Sequence, residues 1–313
     1  MTSRPVATLS LAGRDLVSMR DFSREELLAF LDEAAQFEGY EQPILRGKVL
    51  GSLFFEPSTR TNLSFSSAMQ RLGGAVLGFA DSKVSSTAKG ESLVDTIRVV
   101  ENYCDIILIR HPLEGAARLA AESTELPVVN AGDGTNQHPT QTLLDLYTIR
   151  SKRGRLDNLK IAFVGDLKYS RTVHSLIETL THFDNEIFLI SPPTLRMPPE
   201  FIEELDARGT AWREDEDFFA VASDVDILYT TRIQQERFPD PVEYEKVKNA
   251  YRIDRASIER IGGRVTVMHP LPRLNEISRD LDSYPGSAYF DQARNGVTVR
   301  KAVLSMLLGI ARA

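Results

Sequence analysis

The chain has 313 residues, 42% of them hydrophobic and 26% charged, which suits about two ordinary globular domains and excludes a disordered or fibrous protein. Lys and Arg number 37 against 44 Asp and Glu, a net charge of −7 that argues against non-specific binding to nucleic acid or anionic membranes, so any bound anion must be held by local chemistry. One cysteine, Cys104, permits no intrachain disulfide, and no run approaches the roughly 20 apolar residues of a membrane helix, so the chain reads as a mature cytoplasmic protein.

The first predicted element is a helix from Ser23 to about Glu38, with Ser23 and Glu26 forming a capping box, Phe22 and Leu27 at staple positions, and Leu27, Leu28, Leu31 and Ala35 on one face. From Lys48 the run Val-Leu-Gly-Ser-Leu-Phe-Phe reads as a buried strand ending at Glu56-Pro57, and a helix begins at Ser58. Strand Ala75 to Ala80, helix Ser92 to Tyr103, strand Asp105 to Ile109, helix Glu114 to Ser123 and strand Pro127 to Asn130 continue a βαβ series. After a helix from Thr140 to about Lys152 the rhythm restarts. Strand Lys160 to Val164, a helix from about Arg171, strand Ile187 to Ile190, helix Pro199 to Arg208 and strands Val225 to Thr230 and Val265 to Met268 follow. The acidic run Glu214 to Asp217 reads as a solvated helix start, and Ala302 to Ala311 as a buried terminal helix. The fold class is α/β with two doubly wound parallel-sheet domains. We expect residues 1–140 to form one, with a terminal helix, 293–313, packed back on it, and residues 141–292 the other.

Open α/β sheets bind ligands beyond the carboxyl ends of their strands, so the loops there are where chemistry is sought. Ser58-Thr59-Arg60-Thr61 combines outward N–H groups of a helix start, three hydroxyls and a guanidinium, a set suited to phosphate; capping alone explains only Ser58. Arg110 ends a buried strand, where it can hold a carbonyl or phosphate oxygen or form a structural ion pair. His138 and Gln141 lie three apart at a helix start and could face one ligand. Arg171 and Arg232 follow strands of the second domain and suit a dicarboxylate, each fork gripping one carboxylate, although two surface salt bridges would use the same residues. Asp81 to Glu91, with Ser82, Ser85, Ser86, Thr87 and Lys89, reads as a mobile hydroxyl-rich loop. No dinucleotide, P-loop, zincin or nucleophile-elbow motif is present, the five histidines lack ligand spacing, and Cys104 reads as a packed thiol.

Five motifs, Ser58-Thr59-Arg60-Thr61, Arg110-His111-Pro112, His138-Pro139-Thr140-Gln141, Asp166 through Thr172, and His269-Pro270-Leu271-Pro272-Arg273, occur in the order found in the catalytic chains of the aspartate carbamoyltransferase family, which this sequence resembles over nearly its whole length. Ornithine-specific relatives are less similar: they carry His-Cys-Leu-Pro where this chain has His-Pro-Leu-Pro, and a cationic acceptor would not call for Arg171 and Arg232.

The resemblance implies transfer of the carbamoyl group of carbamoyl phosphate to L-aspartate, an early step of pyrimidine biosynthesis, without metal, cofactor or covalent intermediate. The active site would lie in the cleft between the two domains. Ser58, Thr59, Arg60 and Thr61 would bind phosphate, with Thr61, Arg110 and His138 near the carbamoyl oxygen, Gln141 near its nitrogen, and Leu271 and Pro272 completing the donor site. The Leu271 carbonyl would lie near the reacting amine. Arg171, Arg232 and Gln234 would hold aspartate. Ser85, or Ser86 beside it, and Lys89 match loop residues that enter a neighbouring subunit's site in a homotrimer, and Ala88 stands where many relatives have a further lysine. Regulatory chains and a dihydroorotase are among the partners the resemblance admits. The rival readings are another acceptor, such as ornithine, or a catalytically silent scaffold.

Overall fold

In strand β1 (Val49–Phe54) every residue from Leu50 onward is buried, the near-continuous burial of a parallel strand covered on both faces. The computed structural model describes residues 11–81, 89–221, 225–234, 238, 240–248 and 250–312. Strand β1 pairs in parallel with β2 (Ala75–Phe79) on one side and β3 (Ile106–His111) on the other, and β4 (Val128–Asp133) pairs in parallel with β3, giving the order β2-β1-β3-β4. Helices α1 (Arg24–Gln36), α2 (Thr59–Arg71), α3 (Leu93–Val100) and α4 (Ala116–Ala121) supply the connections and flanks. Leu53, Ile107, Ile109 and Val128 of this sheet pack with Ile97, Ala117 and Ala120 of the helices in one core.

The second sheet is also wholly parallel, in the order β7-β6-β5-β8-β9. Its strands are β5 (Leu159–Val164), β6 (Asn185–Ile190), β7 (Ala211–Asp215), β8 (Ile227–Thr230) and β9 (Thr266–Met268). Between them run α6 (Arg171–Leu180), α7 (Pro199–Ala207), α8 (Phe218–Val221), α9 (Pro241–Val247) and α10 (Arg255–Arg260). The chain resolves into two compact units, 1–143 with 296–313 and 144–295. The divisions fall inside α5 (Pro139–Arg153) and α11 (Tyr289–Leu307). Both units are therefore α/β folds on parallel sheets.

Several elements depart from expectation. The capping box forms, Ser23 Oγ accepting from Glu26 N and Glu26 Oε2 from Ser23 N, but the buried face of α1 is Leu27, Phe30, Leu31 and Ala34. Phe30 turns the helix toward Phe22, whose ring it meets edge-on at 5.6 Å, and Ala35 is left exposed. Glu214 and Asp215 end strand β7 instead of opening a helix; Asp217 caps α8 by accepting from Phe219 N. The terminal helix, expected over 293–313, runs from Tyr289 to Leu307, starting four residues earlier and ending six earlier.

Candidate active site

In each sheet the chain turns from one direction of winding to the other beside a central strand, between β1 and β3 in the first and between β5 and β8 in the second. The crevices at these switch points are where such sheets accept ligands. In the first unit the loops after β1, β3 and β4 carry the candidate residues. Ser58 is the N-cap of α2 yet makes no side-chain cap bond, so its hydroxyl is not spent on the helix. Thr59 and Arg60 are exposed in the first turn and Thr61 is buried. The 13-residue helix thus presents its positive end and amide N–H groups beside three hydroxyls and a guanidinium.

Arg110 pairs in register with Phe54, at the end of the neighbouring strand. Its guanidinium is nearly buried, donating from Nη2 to Glu56 Oε1 at 3.2 Å and from Nη1 to the Ala131 carbonyl at 3.4 Å, so its direction is set in advance. His111 accepts from Leu113 N at Nδ1, and burial lowers the ring's proton affinity. The loop 130–137 is built around buried Asp133. Its Oδ1 accepts from Asn130 Nδ2 and Gln137 N, and its Oδ2 from Gly115 N and Asn136 Nδ2. This carboxylate fixes the turn that delivers buried His138 to the start of α5, where the His138 carbonyl accepts from Gln141 N at 2.9 Å.

In the second unit Asp166, two residues beyond the end of β5, organises two loop segments. Its Oδ1 accepts from Lys168 N and Tyr169 N in the loop leading to Arg171, and its Oδ2 from Gln234 N at 3.4 Å in the segment after β8. Gln234 Nε2 donates to the Tyr169 carbonyl, and Thr231 Oγ1 both donates to the Asp166 carbonyl and accepts from Asp166 N. Gly165, at φ +121°, permits this approach, since a Cβ there would sit 2.3 Å from the Thr231 carbonyl. Burial pushes the Asp166 carboxyl up to about 6, opposed by its three amide donors and the Arg232 charge. Arg171 opens α6 with its side chain half-buried, and Arg232 borders a hollow with Tyr244, Lys248, Leu274, Asn275 and Glu276.

After β9, His269 Nδ1 accepts from Leu271 N and His269 Nε2 lies 2.8 Å from Glu276 Oε1. Burial raises the Glu276 carboxyl, but the hydrogen bond and charge of His269, with N–H donors from its own turn, outweigh that and hold it below its ordinary value. Leu271 is held at φ 59° ahead of a cis bond to Pro272. Arg273 is engaged in a bidentate pair with Asp282, whose Oδ1 also accepts from Tyr289. The His269 and Arg273 side chains of this motif hold the turn.

Of the sequence-derived residues, Ser58, Thr59, Arg60, Thr61, Arg110, His138 and Gln141 gather at the strand ends of the first sheet, and Arg171, Arg232, Gln234, Leu271 and Pro272 at those of the second. Lys89 is exposed in the segment before α3, and Ser85 lies outside the described residues. Glu56, Asp133 and Glu276 were given no role from sequence, and neither was Asp166, although it stood within a quoted motif. An acid at, or within two residues of, the end of a buried strand was the available signal in three of the four. Burial pushes the Cys104 thiol up to about 11, so it is a packed, protonated group.

Residues 14–151 match the family described as aspartate/ornithine carbamoyltransferase, carbamoyl-P binding domain, and residues 157–307 match its Asp/Orn binding domain. The aspartate carbamoyltransferase catalytic subunit of Methanocaldococcus jannaschii is 54% identical over 301 residues, covering 94% of this chain and 98% of that one. A crystal structure of the M. jannaschii catalytic subunit superposes with a TM-score of 0.88 at 53% identity, over 95% of this chain and 98% of that one. Aspartate transcarbamoylase from Trypanosoma cruzi, in complex with carbamoyl phosphate and aspartate, superposes with a TM-score of 0.90 at 38% identity, over 95% and 98%.

Proposed function

The chain belongs to the aspartate/ornithine carbamoyltransferase family, and from that membership we propose that it transfers the carbamoyl group of carbamoyl phosphate to the amine of L-aspartate, giving N-carbamoyl-L-aspartate and phosphate. The first unit supplies the donor site. Ser58, Thr59, Arg60 and Thr61 take the phosphate, where the helix dipole, amides and guanidinium favour a dianion. Thr61, Arg110 and His138 face the carbamoyl oxygen, and Gln141 the carbamoyl nitrogen. The second unit supplies the acceptor site: Arg171, Arg232 and Gln234 take the aspartate carboxylates, and the Leu271–Pro272 backbone lies by the reacting amine and the donor.

Chemically, the neutral amine attacks the carbamoyl carbon, charge collects on the carbonyl oxygen, and the carbon–oxygen bond to phosphate then breaks with the electron pair leaving on phosphate, which takes up the proton the amine nitrogen gives up. Fixed cations and hydroxyls stabilise both sites of charge, and no covalent enzyme intermediate is called for. Ser85 and Lys89 come from a neighbouring subunit of a homotrimer, and the reaction opens pyrimidine biosynthesis in the cytosol. No helix among the described residues is long and apolar enough to cross a membrane. The relatives' designation as catalytic subunits supports assembly with further, regulatory chains.

The observation that carries the acceptor assignment is the Asp166 clamp, which joins the loop of Arg171 to the segment of Arg232 and Gln234, so that two guanidinium groups serve one dianionic ligand. Steady-state turnover of the purified chain with carbamoyl phosphate and either aspartate or ornithine tests it. Carbamoylation of aspartate and not of ornithine is expected; the reverse preference overturns the assignment.

A further inference from the structure

Within the second unit runs a buried chain of hydrogen bonds among residues to which no substrate contact was assigned. Asp145, fully buried on α5, accepts from Tyr229 Oη at 2.8 Å on Oδ2 and from Gln292 Nε2 at 2.6 Å on Oδ1. The Tyr229 phenol is in turn hydrogen-bonded to the Thr172 side chain. Gln292 Oε1 accepts from His269 N at 3.0 Å, and His269 holds Leu271 N and Glu276 by its two ring nitrogens. Each end of this chain lies beside a ligand segment. Thr172 follows Arg171, Tyr229 precedes Arg232 by three residues on the same strand and its extension, and His269 precedes Leu271 by two.

The polarity of the chain is determined. A backbone N–H can only donate, so His269 N requires the Gln292 oxygen; that turns the Gln292 NH2 toward residue 145, which must accept there while also accepting from the Tyr229 hydroxyl. A carboxylate meets both demands. Burying one is costly unless its partners are in place, and a polar network of this kind is retained where it specifies one arrangement over its neighbours.

We propose that Asp145 is a positioning residue for the reaction, setting through Tyr229 and Gln292 the spacing of the Arg171, Arg232 and Leu271 segments that receive the amino-acid acceptor. It acts without contacting substrate, and it rests on the reading of the second unit as the aspartate site.

The test compares Asp145→Asn, Tyr229→Phe and the double variant Asp145→Asn with Gln292→Glu, in the full-length protein. In Asp145→Asn alone, one acceptor is lost: the new amide NH2 faces either the Gln292 NH2 or the Tyr229 hydroxyl, and one of the two bonds must break or reverse. In the double variant the roles exchange: the new amide NH2 at position 145 donates to the new carboxylate at position 292, that carboxylate accepts from His269 N, and the amide oxygen at position 145 still accepts from Tyr229. Asp145→Asn is expected to raise KM for aspartate about tenfold or more with KM for carbamoyl phosphate within about twofold, and the double variant to return it to within about threefold of the parent. Tyr229→Phe, which deletes one oxygen, is expected to raise the aspartate KM about threefold and keeps the question answerable if Asp145→Asn does not fold. Unchanged aspartate KM in Asp145→Asn or Tyr229→Phe, or a double variant no better than Asp145→Asn, overturns the proposal. Amide exchange over residues 229–234 and 269–276 is measured on the same proteins: faster exchange in Asp145→Asn, slowed again in the double variant, is the expected result. Should the parent chain carbamoylate no aspartate, the functional reading fails, while unaltered exchange in the variants would separately sink the network.

Discussion

Arg110 illustrates how a single side chain is readied for chemistry. Glu56 and the Ala131 carbonyl hold its fork in place, so in the proposed reaction charge developing on the carbamoyl oxygen would meet a cation that need not reorganise. Replacing Arg110 or Arg60 with Ala is expected to lower turnover by about 10² to 10³ with the circular dichroism spectrum unchanged. Asp166 predicts a pH dependence for the proposed acceptor side. Its ionised form accepts three amide N–H groups, and with the folded value raised from 3.8 to about 6, protonation begins to remove those acceptors as pH falls through 6. KM for aspartate should therefore rise below about pH 6, and Asp166→Asn should lose that inflection. Stability runs in the opposite sense. The folded state keeps a proton that the unfolded chain has released, so the contribution of this group declines as pH rises from about 4 to about 6 and is level above.

Among the elements, the turn between β4 and α5 depends on one carboxylate. Asp133→Ala would leave Asn130 Nδ2, Gln137 N and Gly115 N without their acceptor in a buried loop, and should cost about 2 kcal/mol or more in denaturant unfolding, together with faster amide exchange over residues 130–138 and reduced turnover through His138. At α1 the capping box is local, so Ser23→Ala should cost about 1 kcal/mol and leave turnover alone. The same contrast explains which elements were legible. Helix α1, strands β1, β3 and β5, and the start of α6 announce themselves by caps and apolar runs. Strand β7 escaped because Arg213 and Glu214 are exposed at a sheet edge, where charge protects against further pairing and hides the strand pattern. Helices α9 and α10 are short, and their caps, Asp240 before Pro241 and Asp254 accepting from Ser257 N, were the readable signs. The first turn of α11, ahead of the expected start at 293, was hidden by Asp291 and Gln292, polar residues that make specific bonds in place of an apolar stripe.

For the molecule as a whole, a net charge of −7 is compatible with the proposed sites for a phosphate and a dicarboxylate, because arginines, helix starts and loop amides supply local positive potential at strand ends. The proposed homotrimer with shared sites predicts a sedimenting species about three times the chain mass. It also predicts complementation: Lys89→Gln and Arg60→Ala, each nearly inactive alone, should recover measurable turnover when unfolded together and refolded as mixed trimers. A monomer at working concentration, or no recovery on mixing, would contradict subunit sharing.

The amino-acid sequence by itself determined the two α/β series, the helix starts at Ser23 and Ser58, and the identity of the polar residues after each strand, because capping, periodicity and residue chemistry act over a few positions. Only the tertiary structure decided that the first sheet runs β2-β1-β3-β4 and the second β7-β6-β5-β8-β9, which puts the loops of Thr61 and Arg110, and those of Asp166 and Arg232, beside one another. It alone showed that Asp133, Asp166 and Asp145 are acceptors around which those loops are built, since their donors come from residues up to 147 positions distant and a hydrogen bond depends on geometry that no local spacing records.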